Sequence, residues 1–161
     1  MRPGSPCLNI TGMNRFFVAE SNIRDDRVLL GPEQAHQICH VLRLKKQDQI
    51  VVLDNQGSEY DIVIQSLGRR GVEGQITARR AALGEPNVQV CVYQSLLSRD
   101  KFEWVLQKCT EVGVSRFVPV VTRRSIVPKA QRFKPERERR WGRIITEAAE
   151  QCGRGRIPQL E

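Results

Sequence analysis

The chain has 161 residues, 40% of them hydrophobic and 27% charged, which suits one or two small globular domains. No apolar run approaches the ~20 residues of a membrane span, and Met1 to Gly12 lacks the apolar centre of a signal peptide, so a cytoplasmic location is expected. Lysine and arginine number 26 against 18 acidic residues, a formal net charge of +8 with a pI near 9.7, and such an excess draws polyanions.

In chain order, Met13 to Val18 opens as a strand. Gly31-Pro32-Glu33 then starts a short helix, with proline in the first turn and Ala35, Ile38, Cys39 and Leu42 on one face. Arg43, Lys45 and Lys46 form a basic exit from it. Three strands are predicted over Asp48–Asp54, Glu59–Ser66 and Val72–Arg79, separated by the turn-forming Asn55-Gln56-Gly57 and Gly68-Arg69-Arg70-Gly71. Short strands and one small helix point to a compact β-barrel.

A boundary is expected at Leu83-Gly84-Glu85-Pro86. Beyond it a βαβ unit is predicted, with parallel strands. Val88 to Tyr93 reads as its first strand. A helix from Ser98 to Val112 follows, with Phe102, Val105, Leu106, Cys109 and Val112 as its stripe. Asp100 and Glu103 have capping-box spacing, and Gly113 marks the end. Arg116 to Val121 is the second strand, where Pro119 suggests an edge or irregular position. A last helix from Glu136 presents Trp141, Ile144, Ile145, Ala148, Ala149 and Cys152 on one face and stops at Gly153. The chain then ends where a third parallel strand should start, so a domain cut in the middle is expected.

Five cysteines, at 7, 39, 91, 109 and 152, show no paired spacing. Those at 39, 91, 109 and 152 sit in apolar patterns, and reduced thiols are expected. His36, Cys39 and His40 fall at i, i+3 and i+4, but a closed zinc site needs a fourth ligand and the chain has no other histidine, so packing and surface roles are expected, not metal. From Arg123 to Arg143 there are nine basic residues against two acidic ones. Arginine dominates this run, which favours bidentate phosphate contact over a merely solvated face.

Met13-Asn-Arg-Phe-Phe-Val, His40-Val-Leu-Arg-Leu, Phe102 to Val114, Val118-Pro-Val-Val-Thr-Arg-Arg-Ser and Trp141 to Arg154, with Glu147-Ala-Ala-Glu-Gln-Cys-Gly-Arg, occur in one order. Together they resemble the ribosomal RNA small subunit methyltransferase E family. The resemblance implies an α/β fold plus a β-barrel. Residues 13–83 would form a PUA-like RNA-binding barrel and 88–161 the first half of a SPOUT-type methyltransferase domain, with 1–12 an upstream extension. It implies methylation of uridine N3 in 16S ribosomal RNA by S-adenosyl-L-methionine, the small ribosomal subunit as partner, and a homodimer in the complete enzyme. The family's cofactor sits in a deep C-terminal knot with a Gly-Pro-Glu-Gly-Gly type segment. This chain ends before it, and Gly31-Pro32-Glu33 lies in the wrong domain, so no cofactor site is expected here.

Methyl transfer to uridine N3 requires loss of its proton and stabilisation of the charge that spreads to the flanking carbonyls. The resemblance nominates Arg154 for that stabilisation, its alternative being a cation that satisfies helix C-terminal carbonyls. Arg123, Arg124 and Ser125 at a strand C-terminus are substrate-side candidates. Glu150 and Gln151 either orient substrate or cap helix packing. Arg15, Arg43 and Lys45 either track the RNA backbone or are ordinary surface charge. Two other functions stay open: a non-catalytic RNA-binding fragment, and a SPOUT enzyme acting on transfer RNA.

Overall fold

The structure is a computed structural model that describes residues 12–68, 70–123, 125 and 134–161. The first unit is one curled six-stranded sheet in the order β1-β4-β5-β6-β3-β2. Its strands are β1 (Arg15–Phe17), β2 (Ile23–Arg24), β3 (Arg27–Leu30), β4 (Gln49–Leu53), β5 (Ser58–Gly68) and β6 (Gly71–Ala81). Strands β5 and β6 carry it, because alternating Ile62, Ile64 and Val72, Ile76 put one face of each into the core. Phe16, Leu30, Ile38, Ile50 and Val52 fill the rest of that core, each fully buried aliphatic adding about 1.5–3 kcal/mol.

Two features of this sheet depart from the sequence-based expectation. Strands β2 and β3 are additional, with β3 antiparallel to β6 through Val28↔Gly74 and Leu30↔Val72. Strand β1 pairs parallel with β4, Phe16 opposite Val52, so the barrel-like curl comes from one parallel seam in an antiparallel sheet. Helix α1 (Pro32–His36) has proline at its start and runs on as a π-helical turn through Gln37–Val41, burying Ala35 and Ile38.

The second unit is a parallel sheet in the order β7-β8-β9, with β7 at Cys91–Ser95, β8 at Arg116–Val120 and β9 at Gln159–Leu160. Helices α2 (Arg99–Glu111) and α3 (Pro135–Cys152) cover one face. Leu96, Phe102, Leu106, Phe117, Trp141 and Ile145 make its core, and Phe102 and Trp141 rings lie 4.6 Å apart. The third strand, expected to begin where the chain ends, has begun: Gln159 and Leu160 pair with Arg116 and Phe117. Pro119 lies within β8, in register with Gln94 of β7.

Both glycine stops hold, Gly113 at φ +101° and Gly153 at φ +76°. Other details are corrected. Strand β7 starts at Cys91, and Val88 and Val90 before it stand exposed. Ser98 is the N-cap of α2. No Asp100–Glu103 capping box forms, because the helix starts at Arg99 and Asp100 is already inside its first turn; the Glu103 carboxylate accepts from Arg140 at 2.6 and 2.9 Å. Val112 is 79% exposed, since α2 ends at Glu111 and turns it away from the stripe. Cys39, Cys91 and Cys109 are free and half-buried, Cys152 is half-buried with its thiol donating to the Ala149 carbonyl at 3.7 Å, and burial pushes the Cys109 thiol up. Cys7 lies outside the described residues.

Candidate nucleic-acid interface and the joint behind it

The two ends of the α/β unit carry different chemistry. At the C-terminal ends of β7 and β8, Ser95 Oγ lies 3.0 Å from both Thr122 Oγ1 and Ser125 Oγ. Thr122 N–H donates to Ser125 Oγ at 2.9 Å. Three hydroxyls are thus gathered where open α/β sheets place ligands. Arg123 beside them is exposed. Helix α3 begins over the same edge: the Arg137 guanidinium sits 4.8 Å from the centre of the Trp141 ring and reaches the Leu97 carbonyl at 3.5 Å. The Trp141 indole N–H is buried without a partner. Arg43 and Lys45 on the barrel are solvent-facing. Arg124 lies outside the described residues, as does much of the basic run that follows it.

The other end is a joint with the barrel. Helix α3 has 18 residues, about 27 Å at 1.5 Å per residue, so its C-terminus lies far from the strand-end hydroxyls. Arg154 is there, 1% exposed. Its Nε and Nη2 donate to the two carboxylate oxygens of Glu85 at 3.2 and 3.1 Å. Its Nη1 donates to the carbonyls of Val114 and Thr110. Each nitrogen of the guanidinium therefore has an acceptor, and the expected alternative, a cation that satisfies carbonyls at a helix end, matches these contacts at the end of α2.

Glu150 is also turned to the joint. Its Oε1 accepts from Phe17 N–H at 2.9 Å, and burial, with the Glu147 charge adding to it, pushes its carboxyl up to about 7 despite that donor. It lies at the joint end of α3, away from the strand-end hydroxyls. Gln151 is exposed beside the groove between α2 and α3, again at that end. The Arg15 side chain is 11% exposed and bound to Glu59 at 2.6 Å, in a chain continued by Arg80 to Glu59 and Asp61.

The β4–β5 turn completes the joint. Asp54 Oδ1 accepts from Gln56 and Ser58 N–H at 2.7 and 3.0 Å. The shaped turn then receives the segment after α3: Arg156 donates to the Gln56 carbonyl at 3.2 and 3.0 Å, and Ile157 N–H to Asn55 Oδ1 at 2.7 Å. A Cβ on Gly155 would stand 2.5 Å from Ala82 Cβ and 2.9 Å from Gly57 Cα. Only glycine permits that approach.

Sequence reasoning missed Ser95, Thr122 and Glu85. The first two carried a faint signal as hydroxyls at the ends of predicted strands. Glu85 had none, standing 69 residues from Arg154. Among the described residues no three His, Cys, Asp or Glu side chains converge as metal ligands; the His36 and His40 rings lie 4.8 Å apart with their planes tilted by 41°. None of the described helices is long and apolar enough to cross a membrane.

Comparison with known proteins agrees with this architecture. Residues 30–77 match the family model of the RNA methyltransferase PUA domain and 84–161 that of the RNA methyltransferase domain. A ribosomal RNA small subunit methyltransferase E of Bacillus subtilis is 31% identical over 128 residues, covering 80% of this chain and 50% of that protein. The enzyme of that name from Synechocystis is 32% identical over 146 residues, covering 91% and 46%. The chain thus spans about half the length of these relatives. A Neisseria gonorrhoeae ribosomal RNA small subunit methyltransferase E, solved bound to S-adenosyl methionine, superposes with TM-score 0.76 at 28% identity, over 92% of this chain and 60% of that one. A Legionella pneumophila protein solved with bound S-adenosylmethionine gives 0.82 at 25%, over 92% and 62%. With both units matched in order and relatives of one name on each side, the chain belongs to the ribosomal RNA small subunit methyltransferase E family.

Proposed function

We propose that the chain serves S-adenosylmethionine-dependent methylation of uridine N3 in 16S ribosomal RNA, in the cytoplasm, as part of a homodimeric enzyme, with the small ribosomal subunit as its partner. The observation that carries this reading is the hydroxyl cluster of Ser95, Thr122 and Ser125 at the strand ends, next to exposed Arg123, in a unit joined to an RNA methyltransferase PUA domain.

These residues work on the substrate side. When uridine N3 loses its proton, charge moves to the two flanking carbonyl oxygens, and O–H and guanidinium donors aimed there lower the cost. Ser95, Thr122 and Ser125 exchange their mutual bonds for that task, while Arg123, Arg43 and Lys45 hold phosphates. S-adenosylmethionine would supply the methyl group, and no residue of this chain is assigned to hold it.

The test is incubation of the chain, complemented with the C-terminal half of a family relative, with unmethylated small subunits and labelled S-adenosylmethionine, followed by nucleoside analysis. N3-methyluridine formed by the complemented protein, and lost with Ser125→Ala, is the expected result. RNA binding that weakens steeply with salt, with no methyl incorporated, would overturn it in favour of a non-catalytic RNA-binding role.

A further inference from the structure

Strand β1 has three residues and lies at the edge of the barrel sheet. Its inner side is taken by β4, through Val18 N–H to the Leu53 carbonyl and Val51 N–H to the Asn14 carbonyl, both at 2.9 Å. Its outer side is closed by two side chains at Phe17: Gln34 Nε2 donates to the Phe17 carbonyl and Glu150 Oε1 accepts from the Phe17 N–H, each at 2.9 Å. Gln34 belongs to the barrel itself, whereas Glu150 belongs to α3 of the other unit. Beside Glu150, Ala149 packs on Phe17, Val51 and Leu53, a small apolar contact. The rest of the joint lies beyond the helix, where Arg156 and Ile157 hold the β4–β5 turn and Gly153, at φ +76°, bends the chain.

We propose that Glu150 is a proton-operated latch, which holds α3 against the barrel edge while its carboxyl is protonated and lets the helix swing away about residues 153–157 once it ionises. The surroundings decide the sign. Closing the joint takes the carboxyl out of water, and the cations of the neighbouring elements are committed elsewhere. Arg15, whose guanidinium lies against Gly153, is held by Glu59, Arg80 by Glu59 and Asp61, and Arg154 by Glu85. Arg156 is turned to the Gln56 carbonyl. The β4–β5 turn brings Asp54, which accepts from that turn's own N–H groups. Helix α2 meets α3 with Glu103 bound to Arg140 and Lys108 to Glu111. Helix α1 and its π-helical turn bring neutral Gln34 and the exposed pair His36 and His40. Glu147, on the same helix, adds a like charge. Desolvation, with that charge behind it, pushes the Glu150 carboxyl up to about 7, so the closed joint is favoured below that pH and lost as pH rises through it.

Amide hydrogen exchange of the full chain tests it, read residue by residue by NMR at roughly pH 6 and pH 8 and corrected for intrinsic exchange rates. With an ordinary value of 4.5 and a folded value of about 7, the opening equilibrium seen at the Phe17 amide should rise about tenfold between those two conditions. Glu150→Gln keeps an acceptor oxygen and removes the charge, so in this variant Phe17 should be protected equally at both. Histidines change charge in the same range, and the variant separates their effect from that of Glu150. Ile62, fully buried in the barrel core, should stay better protected than Phe17 throughout, because releasing the latch leaves the barrel folded. Three results would overturn the inference: Phe17 exchange that ignores pH in the wild type, a pH dependence that survives in Glu150→Gln, or Phe17 exchanging at the rate of Ile62, which makes the event global unfolding. The readout needs neither RNA nor cofactor, so it stands or falls apart from the function proposed above.

Discussion

Arginine has opposite fates at the two ends of the α/β unit. At the joint, Arg154 and Arg15 are buried and spent on Glu85 and Glu59. At the strand ends, Arg123 stands in solvent beside three hydroxyls that bond chiefly to one another. The difference teaches that the side chain's type does not assign its role; its burial and its partners do. A guanidinium buried against fixed acceptors is spent on the fold. One that water alone solvates can exchange that water for phosphate.

The sharpest way to break this contrast is Arg154→Ala. It strands Glu85 and the carbonyls of Val114 and Thr110, and should cost about 3 kcal/mol of unfolding free energy in urea titration. Gly155→Ala comes next: its new methyl meets Ala82 and the Gly57 backbone and should cost about 2 kcal/mol, loosening the joint. Glu150 gives a smaller, pH-dependent effect. Its folded-state value, about 7, lies above the usual carboxylate range, so the stability it contributes is fully present below about pH 4.5 and is lost as pH rises through 7. Glu150→Gln should therefore leave acid stability unchanged and raise it by roughly 1–2 kcal/mol at pH 8, read by denaturation at the two pH values. Arg123→Ala should change stability by less than about 0.5 kcal/mol and instead reduce the salt slope of RNA binding by about 1.

How much of this was legible follows the range of each interaction. The α3 stripe through Trp141, Ile145, Ala148 and Ala149 was legible, because a 3.6-residue period is written locally. So were Gly113 and Gly153, whose left-handed backbone only a local rule dictates. Strands β2 and β3 were hidden, since two to four residues carry no periodicity, and the parallel β1–β4 seam joins segments with a helix between them. The capping box at Asp100–Glu103 failed because the helix starts one residue before Asp100, with Ser98 as its N-cap, a boundary that spacing alone does not fix. For the candidate site, Ser125 lies at the strand ends with Ser95 and Thr122, whereas Arg154, Glu150 and Gln151 lie at the opposite end of α3: proximity in sequence to a family-like motif does not say at which end of an 18-residue helix a residue stands. Glu85 looked like linker, yet it is the acceptor that fixes Arg154, and only the folded chain brings the two together.

The most direct test of the division between a structural joint and an RNA-facing edge is to measure Arg154→Lys and Arg123→Ala side by side, each for unfolding free energy and for affinity to a small-subunit RNA fragment. A lysine cannot reproduce the bidentate contact with Glu85, so Arg154→Lys should lose stability and, in its folded fraction, bind RNA as the wild type does. Arg123→Ala should do the opposite. An Arg154→Lys protein of native stability that no longer binds RNA would contradict the assignment and return Arg154 to the substrate.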